Sequence, residues 1–311
     1  MKRVLVVGVD TIVGGNVALA LAKHHRVAGL TKAEIPGIAG VETRLGIPET
    51  SEGIRRELAI ASPDLVVVCG PASESLWSSA DGKTIDVDGL KANRLWAQEL
   101  AGTETGLIVI SSDAVFHGPW MFHEESCSGV CHSAQASAIR EMESQVQRAC
   151  PSALILRTHA FGWSPDPVVG WLENLLETIE AETPLRIPSA NYATPIAAVR
   201  LAELLIAAWD RKLEGIYHVA GSERVNFRHF AHRLAQEFQL PRPQFRQAAE
   251  DVSPHAFGQG ETSLCSNRFR RAVGTSLPML AESLHRLRDQ TETGELELLK
   301  SEEFALASRA A

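Results

Sequence analysis

At 311 residues the chain is long enough for one large domain or two of roughly 100–200 residues. Hydrophobic residues make up 45% and charged residues 22%, near the globular average, which excludes a fibre, a disulfide miniprotein and wholesale disorder. Thirty Lys and Arg against 38 Asp and Glu leave a net charge of -8, the wrong sign for gripping a nucleic-acid backbone.

No stretch approaches the ~20 apolar residues of a spanning helix, so no membrane partner is expected. The start, Met1-Lys2-Arg3, carries the charge of a signal peptide, but its apolar run stops at Asp10 and no small-residue cleavage site follows. Five cysteines without regular spacing fit a reducing cytoplasm, the expected location.

Over residues 1–160 short β-rich runs alternate with segments of helical period. Strands are predicted at Val4 to Val7, Val27 to Leu30, Leu65 to Cys69, Leu107 to Ser111 and Ala153 to Arg157. Between them Val13, Val17 and Leu21 repeat at four-residue spacing, as do Ile54 and Leu58, while Val87, Leu90 and Trp96 mark another apolar face. Each strand is therefore given a crossover helix. Runs such as Leu65-Val66-Val67-Val68 are apolar throughout, as burial on both faces demands. The predicted fold is α/β: a Rossmann-type doubly wound parallel sheet with a smaller α/β C-terminal region.

Beyond residue 160 prolines become frequent: Pro165, Pro167, Pro184, Pro188 and Pro195. The second region is placed over 161–288, with interleaving of the two regions left open. Helices are predicted over Ala197 to Trp209 and Phe227 to Phe238, the latter capped by Asn226 and carrying Phe227, Phe230, Leu234 and Phe238 on one side. A strand, Gly215 to Val219, lies between them. The tail, 289–311, reads as a peripheral helix or a frayed end.

The segment Gly8-Val-Asp-Thr11-Ile12-Val13-Gly14 follows the first strand and opens the first helix, the context of a dinucleotide-binding turn. Gly8 allows the tight turn and Gly14 allows close packing of helix on strand, while the helix N-terminus offers N–H groups and a positive dipole to a pyrophosphate. Thr11 adds a Cβ and a hydroxyl where bare backbone is the usual solution. The second strand ends in Leu30-Thr31-Lys32, with no carboxylate for a ribose hydroxyl; Lys32 facing a 2′-phosphate favours NADP over NAD.

Further pieces carry a family resemblance. Ile110-Ser111-Ser112-Asp113-Ala114-Val115-Phe116-His117-Gly118 resembles the STDYVFDG segment of the dTDP-4-dehydrorhamnose reductases, a branch of the extended short-chain dehydrogenase/reductases. In the same order, Asp64 to Ala72 resembles their fourth strand and its turn, Asp86-Val87-Asp88-Gly89 resembles NVDG, and Ile155-Leu-Arg157-Thr158 with Phe161-Gly162 resembles ILRTSWVYG. Tyr192 to Ile196, Gly215 to His218 and Leu264 to Pro278 complete a likeness over about residues 1–288.

The resemblance implies an NAD(P)-binding domain, a smaller domain that binds a nucleotide-linked sugar, and hydride transfer at a sugar keto carbon. It implies cofactor contacts at Gly8, Thr11, Ile12, Val13, Gly14, Lys32, Cys69, Gly70, Pro71 and Ser111. Substrate contacts fall on Asp113, Arg157, Tyr192 and Arg268, and a carbonyl-holding hydroxyl on Ser112. A homodimer is left open.

The family protonates the forming alkoxide with a Tyr whose pKa a Lys four residues on lowers. Between Ser112 and Cys150 this chain has neither residue type. Aligning His123-Glu124-Glu125 and Glu143 with the family's acidic landmarks puts Ala134 or Gln135 at the Tyr position and Ala138 or Ile139 at the Lys position. The same window holds His117, His123, Cys127, Cys131 and His132. The cysteines have no recognised zinc spacing, so no metal is expected. His132 or His123 could replace the acid, against the plainer reading of solvent-facing histidines.

Arg157 serves a sugar nucleotide or forms an ion pair with Asp113 or Glu141. Trp120, Trp163 and Trp171 stack a base or simply pack. Arg268, Arg270 and Arg271 approach a nucleotide or form a solvated helix face. Two principal functions compete: a reductase or related sugar-nucleotide modifier using Ser112 with a non-standard acid, and a silent binding module that partners another enzyme. A structural subunit with an empty cleft is the third.

Overall fold

The computed structural model describes residues 1–35, 37–73, 77, 85–166, 170–187, 191–247 and 257–301. Pro167, Pro188 and the last ten residues of the predicted tail lie outside the described residues. The N-terminal half runs β1 (Arg3–Val7), α1 (Ile12–Ala22), β2 (Arg26–Thr31), β3 (Val41–Leu45), α2 (Ser51–Ala61), β4 (Leu65–Val68), α3 (Val87–Leu100), β5 (Gly106–Ser112), α4 (Ala134–Ala149) and β6 (Leu154–Thr158). The rest comprises β7 (Ala160–Phe161), α5 (Trp171–Glu180), β8 (Leu185–Ile187), β9 (Tyr192–Ala193), β10 (Ile196–Ala197), α6 (Ala198–Asp210) and β11 (Gly215–His218). Then come β12 (Val225–Asn226), α7 (Phe227–Glu237), β13 (Phe245–Gln247), α8 (Asn267–Val273), α9 (Leu280–Glu292) and α10 (Glu295–Leu299).

Among the described residues the main sheet has seven strands in the order β11-β6-β5-β4-β1-β2-β3, each paired in parallel with its neighbour. Val4 to Val7 pair with Leu65 to Val68, and all four residues of β4 are buried, because helices cover both faces. The chain leaves β1 toward β2 on one side and returns through β4 on the other. That reversal makes the β1–β4 boundary the switch point, where the carboxyl ends of the strands open a crevice.

Three elements depart from the sequence reading. β3 is an additional strand, and the connection from β2 to it, residues 32–40, carries no helix among its described residues. Val87, read as part of an apolar face, is exposed at the first turn of α3. The predicted strand at Gly215 joins β6 in the main sheet, so the C-terminal half interleaves with the first. Part of the tail is docked: Gln290 on α9 and Leu299 on α10 are buried, and the Ala39 amide donates to the Leu298 carbonyl at 2.8 Å. No helix among the described residues is long and apolar enough to cross a membrane.

A buried ion pair binds α4 to the sheet. Glu143 accepts from Arg157 Nε at 2.8 Å and Nη2 at 2.6 Å, and from the Ser111 hydroxyl at 2.6 Å. Breaking such a pair from one side leaves an uncompensated buried charge, so Glu143→Ala is expected to cost about 3–5 kcal/mol in denaturant unfolding. Joint replacement of Glu143 and Arg157 by leucine is expected to recover part of that loss; a single-mutant loss under about 1 kcal/mol would contradict the assignment.

Candidate functional site

The turn after β1 is held by its own residues. Gly8 takes φ +87°, and a Cβ there would lie 2.1 Å from the Cys69 carbonyl oxygen, so only glycine fits between β1 and β4. Thr11 caps α1: its hydroxyl donates to Gly8 O at 2.8 Å and accepts from the Gly14 amide at 2.9 Å. One donor of the helix N-terminus is thereby satisfied within the turn. Gly15 lies so close to Pro165 that an added Cβ would sit 2.8 Å from its ring. Val13 and Gly14 are buried, while Thr11 and Ile12 stay partly accessible.

Beside this turn a cavity of about 270 Å³ opens between the ends of β1, β2 and β4 and the start of α3. Lys32, Cys69, Gly70 and Pro71 line it, as the sequence reading grouped them; Gly8, Thr11, Ile12, Val13 and Gly14 do not. Asn93 and Trp96, on α3, also line it. Both are buried, and Asn93 Nδ2 and Trp96 Nε1 have no hydrogen-bond partner among the described residues. An unpaired buried donor costs about 1–3 kcal/mol, and both nitrogens are sealed from solvent although their residues line the cavity. The sequence reading took Trp96 only as part of an apolar face and passed over Asn93.

At the cavity mouth Lys32 is paired with Asp86, the N-cap of α3, at 2.8 Å. That hydrogen bond, with the charges of Glu49 and Asp10, holds the Lys32 ammonium above the usual lysine range despite some desolvation.

The ends of β5 and β6 form a second cluster. Ser112 pairs in register with Thr158, and Ser112, Asp113, Thr158 and His159 are all buried. The Asp113 carboxylate accepts from Thr262 Oγ1 at 2.6 Å, from His159 Nδ1 at 2.9 Å and from Ser112 Oγ at 3.4 Å. Sequence reasoning missed His159. Arg157 faces away from this cluster toward Glu143, so neither Asp113 nor Glu141 is its ion-pair partner.

The remaining candidates are dispersed. His132 is exposed near His117, with ring centroids 6.3 Å apart. His123 is buried, stacked on Phe116 and bonded to Cys127 Sγ and the Glu261 carbonyl, which corrects its reading as solvent-facing. Among the described residues no group of three His, Cys, Asp or Glu could hold a metal ion. Tyr192 lies under the Arg224 guanidinium at 3.6 Å, and Arg268 covers Tyr217 at 4.2 Å while donating to Ile216 O on the edge strand. Trp163 is buried, Trp171 packs half-buried against the core, and Trp120 is exposed.

His218, on β11, donates from Nδ1 to the His123 carbonyl and lies 3.4 Å from Arg157 Nη1. Burial first, then the neighbouring guanidinium, pushes its pKa down to about 3 from 6.5. The unfolded imidazole takes up a proton near 6.5 while the folded one resists, so this contribution is full above pH 6.5 and is lost as pH falls toward 3. Between pH 8 and pH 5 the loss from this group is expected to be about 2 kcal/mol, and His218→Gln should show a correspondingly flatter dependence in urea unfolding. An equal slope in both proteins would contradict the buried neutral imidazole.

The family described as RmlD substrate binding domain has a model that matches residues 1–292. No curated protein matches the sequence. Among solved structures, a hypothetical dTDP-4-dehydrorhamnose reductase from Sulfolobus tokodaii is 19% identical, with TM-score 0.72 over 89% of this chain and 97% of its own. The Bacillus anthracis dTDP-4-dehydrorhamnose reductase in complex with NADP is 14% identical, with TM-score 0.73 over 93% and 100%. The Bacillus cereus UDP-glucuronic acid 4-epimerase in complex with UDP-glucuronic acid and NAD is 13% identical, with TM-score 0.72 over 93% and 99%. At these identities the likeness is one of fold.

Proposed function

The chain belongs to the RmlD substrate binding domain family, and from that premise we propose that it binds a nicotinamide dinucleotide and a nucleotide-linked sugar without the phenol-and-amine proton pair of the family's reductases. The observation that carries this reading is the cavity beside the glycine turn, at the carboxyl ends of β1 and β4, lined by Lys32, Cys69, Gly70, Pro71 and Asn93. A dinucleotide crossing the switch point lays its adenosine over the β2 side, where this cavity lies, and its pyrophosphate near the N-terminus of α1. The B. anthracis reductase holds NADP and the B. cereus epimerase holds NAD with a sugar nucleotide, which supports the ligand class.

The choice between the two dinucleotides turns on Lys32. It is already paired with Asp86, and Glu49 and Asp10 add negative charge nearby. A 2′-phosphate entering there must compete with Asp86 for the Lys32 ammonium, so we read NAD as the preferred form, against the sequence cue for NADP. Gly70, Pro71 and Cys69 form the wall beyond the turn.

A bound reduced nicotinamide would supply a hydride to a keto carbon, whose oxygen would then need a proton. On α4, Ala134, Gln135, Ala138 and Ile139 stand where the family's Tyr and Lys are expected, and none of them titrates. The Asp113–His159 pair favours a second reading, in which the imidazole is the proton source of a reductase and Asp113 orients it.

Calorimetric titration with NAD and NADP tests the first reading. NAD is expected to bind more tightly, Asn93→Leu to weaken it about tenfold, the worth of one lost hydrogen bond, and Asp86→Asn to raise the affinity for NADP. Absence of binding by either dinucleotide would refute it. Oxidation of NADH or NADPH by a 4-keto nucleotide sugar, abolished in His159→Gln, would establish the second reading.

A further inference from the structure

The two halves of the crevice differ in a way that the glycine turn does not reveal. Trp77 belongs to the connection that leaves β4, yet its indole lies against His159, which follows β6, with ring centroids 4.5 Å apart. In the sheet β5 separates β4 from β6. The connection after β4 thus brings Trp77 against the residue that follows β6, beside the carboxyl end of β5 where Ser112 and Asp113 sit.

The indole also meets Phe230 at 5.0 Å and Phe227 at 5.8 Å, both from α7. Trp77 is 7% exposed, His159 and Ser112 3%, and Asp113 2%. The polar groups at the ends of β5 and β6 therefore lie beneath an aromatic roof. The cavity on the adenosine side has no such cover.

We propose that Trp77 decides which end of a dinucleotide this protein grips: the indole fills the reaction end of the crevice, so that the adenosine end is held and the nicotinamide stays outside. A dinucleotide with adenosine on the β2 side carries its second base past β4 toward β5 and β6, the place the indole occupies. The inference rests on the dinucleotide reading above and specifies its outcome, recognition of an adenosine diphosphate moiety. Trp77 acts here as a specificity-determining residue, and its removal opens the other half-site.

The test compares ADP-ribose, which lacks nicotinamide, with NADH on the full chain by calorimetry, together with the emission of added NADH. In the wild-type protein the two ligands are expected to bind within about threefold of each other and the NADH emission to stay at its free-solution wavelength, since contacts worth a tenfold difference are missing. Trp77→Ala is expected to tighten NADH about tenfold relative to ADP-ribose, whose affinity stays unchanged and reports that the protein is folded, while Trp77→Phe behaves as wild type.

Wild-type protein that holds NADH more than about tenfold tighter than ADP-ribose, with blue-shifted emission, overturns the proposal whether or not the alanine variant folds. An unchanged ligand ratio in a folded Trp77→Ala protein does the same. If neither ligand binds the wild-type protein, the dinucleotide reading itself fails, and this inference fails with it.

Discussion

A single buried carboxylate sets the terms at the centre of this molecule. Asp113 sits at the end of β5 with almost no exposure and is satisfied by the hydroxyls of Ser112 and Thr262 and by Nδ1 of His159. A carboxylate so placed is tolerable only when its oxygens find donors, because desolvation without partners is prohibitive. Those donors come from the end of β5, from the residue after β6 and from the segment that precedes α8. The same interaction that knits the C-terminal region to the sheet therefore consumes the polar groups nearest the reaction end of the crevice.

From that constraint follows an asymmetry. On the β2 side the crevice keeps an open cavity. On the β5 and β6 side the polar atoms bond to one another beneath Trp77. The turn between them is intermediate: its glycines have the tight packing that a nucleotide turn needs, but Thr11 turns its hydroxyl inward and takes up the Gly14 amide. The two ends of the crevice are thus built differently within one fold.

The sheet was legible wherever burial forces an apolar run, as at Leu65–Val68, and the helices wherever a single face is buried. β3 was not, because Val41-Glu-Thr-Arg-Leu45 is an edge strand with only Val41 fully buried, a weak signal beside its buried neighbours. The partner of Arg157 illustrates a limit of spacing arguments. Glu141 and Glu143 are two residues apart, so about 200° of rotation separates them on α4; one faces solvent and the other the sheet. Sequence proximity could not choose between them.

The site was legible only in part for a similar reason. Gly8, Gly14 and the Cys69–Pro71 wall follow from local context, whereas Trp77, His159 and Asn93 matter through contacts that no local period encodes. That no Tyr or Lys lies between Ser112 and Cys150 is readable directly, but what stands at the ends of β5 and β6 is a tertiary arrangement. It joins residues from the β4, β5 and β6 ends with α7.

Saturation-transfer NMR on NAD mixed with the protein tests this picture most directly, because it reports which protons of the bound ligand touch the protein. The account requires strong transfer to the adenine protons and their ribose, with the nicotinamide ring protons nearly silent. Transfer strongest at the nicotinamide ring would contradict it, since that ring would then lie inside the space that Trp77 is held to fill.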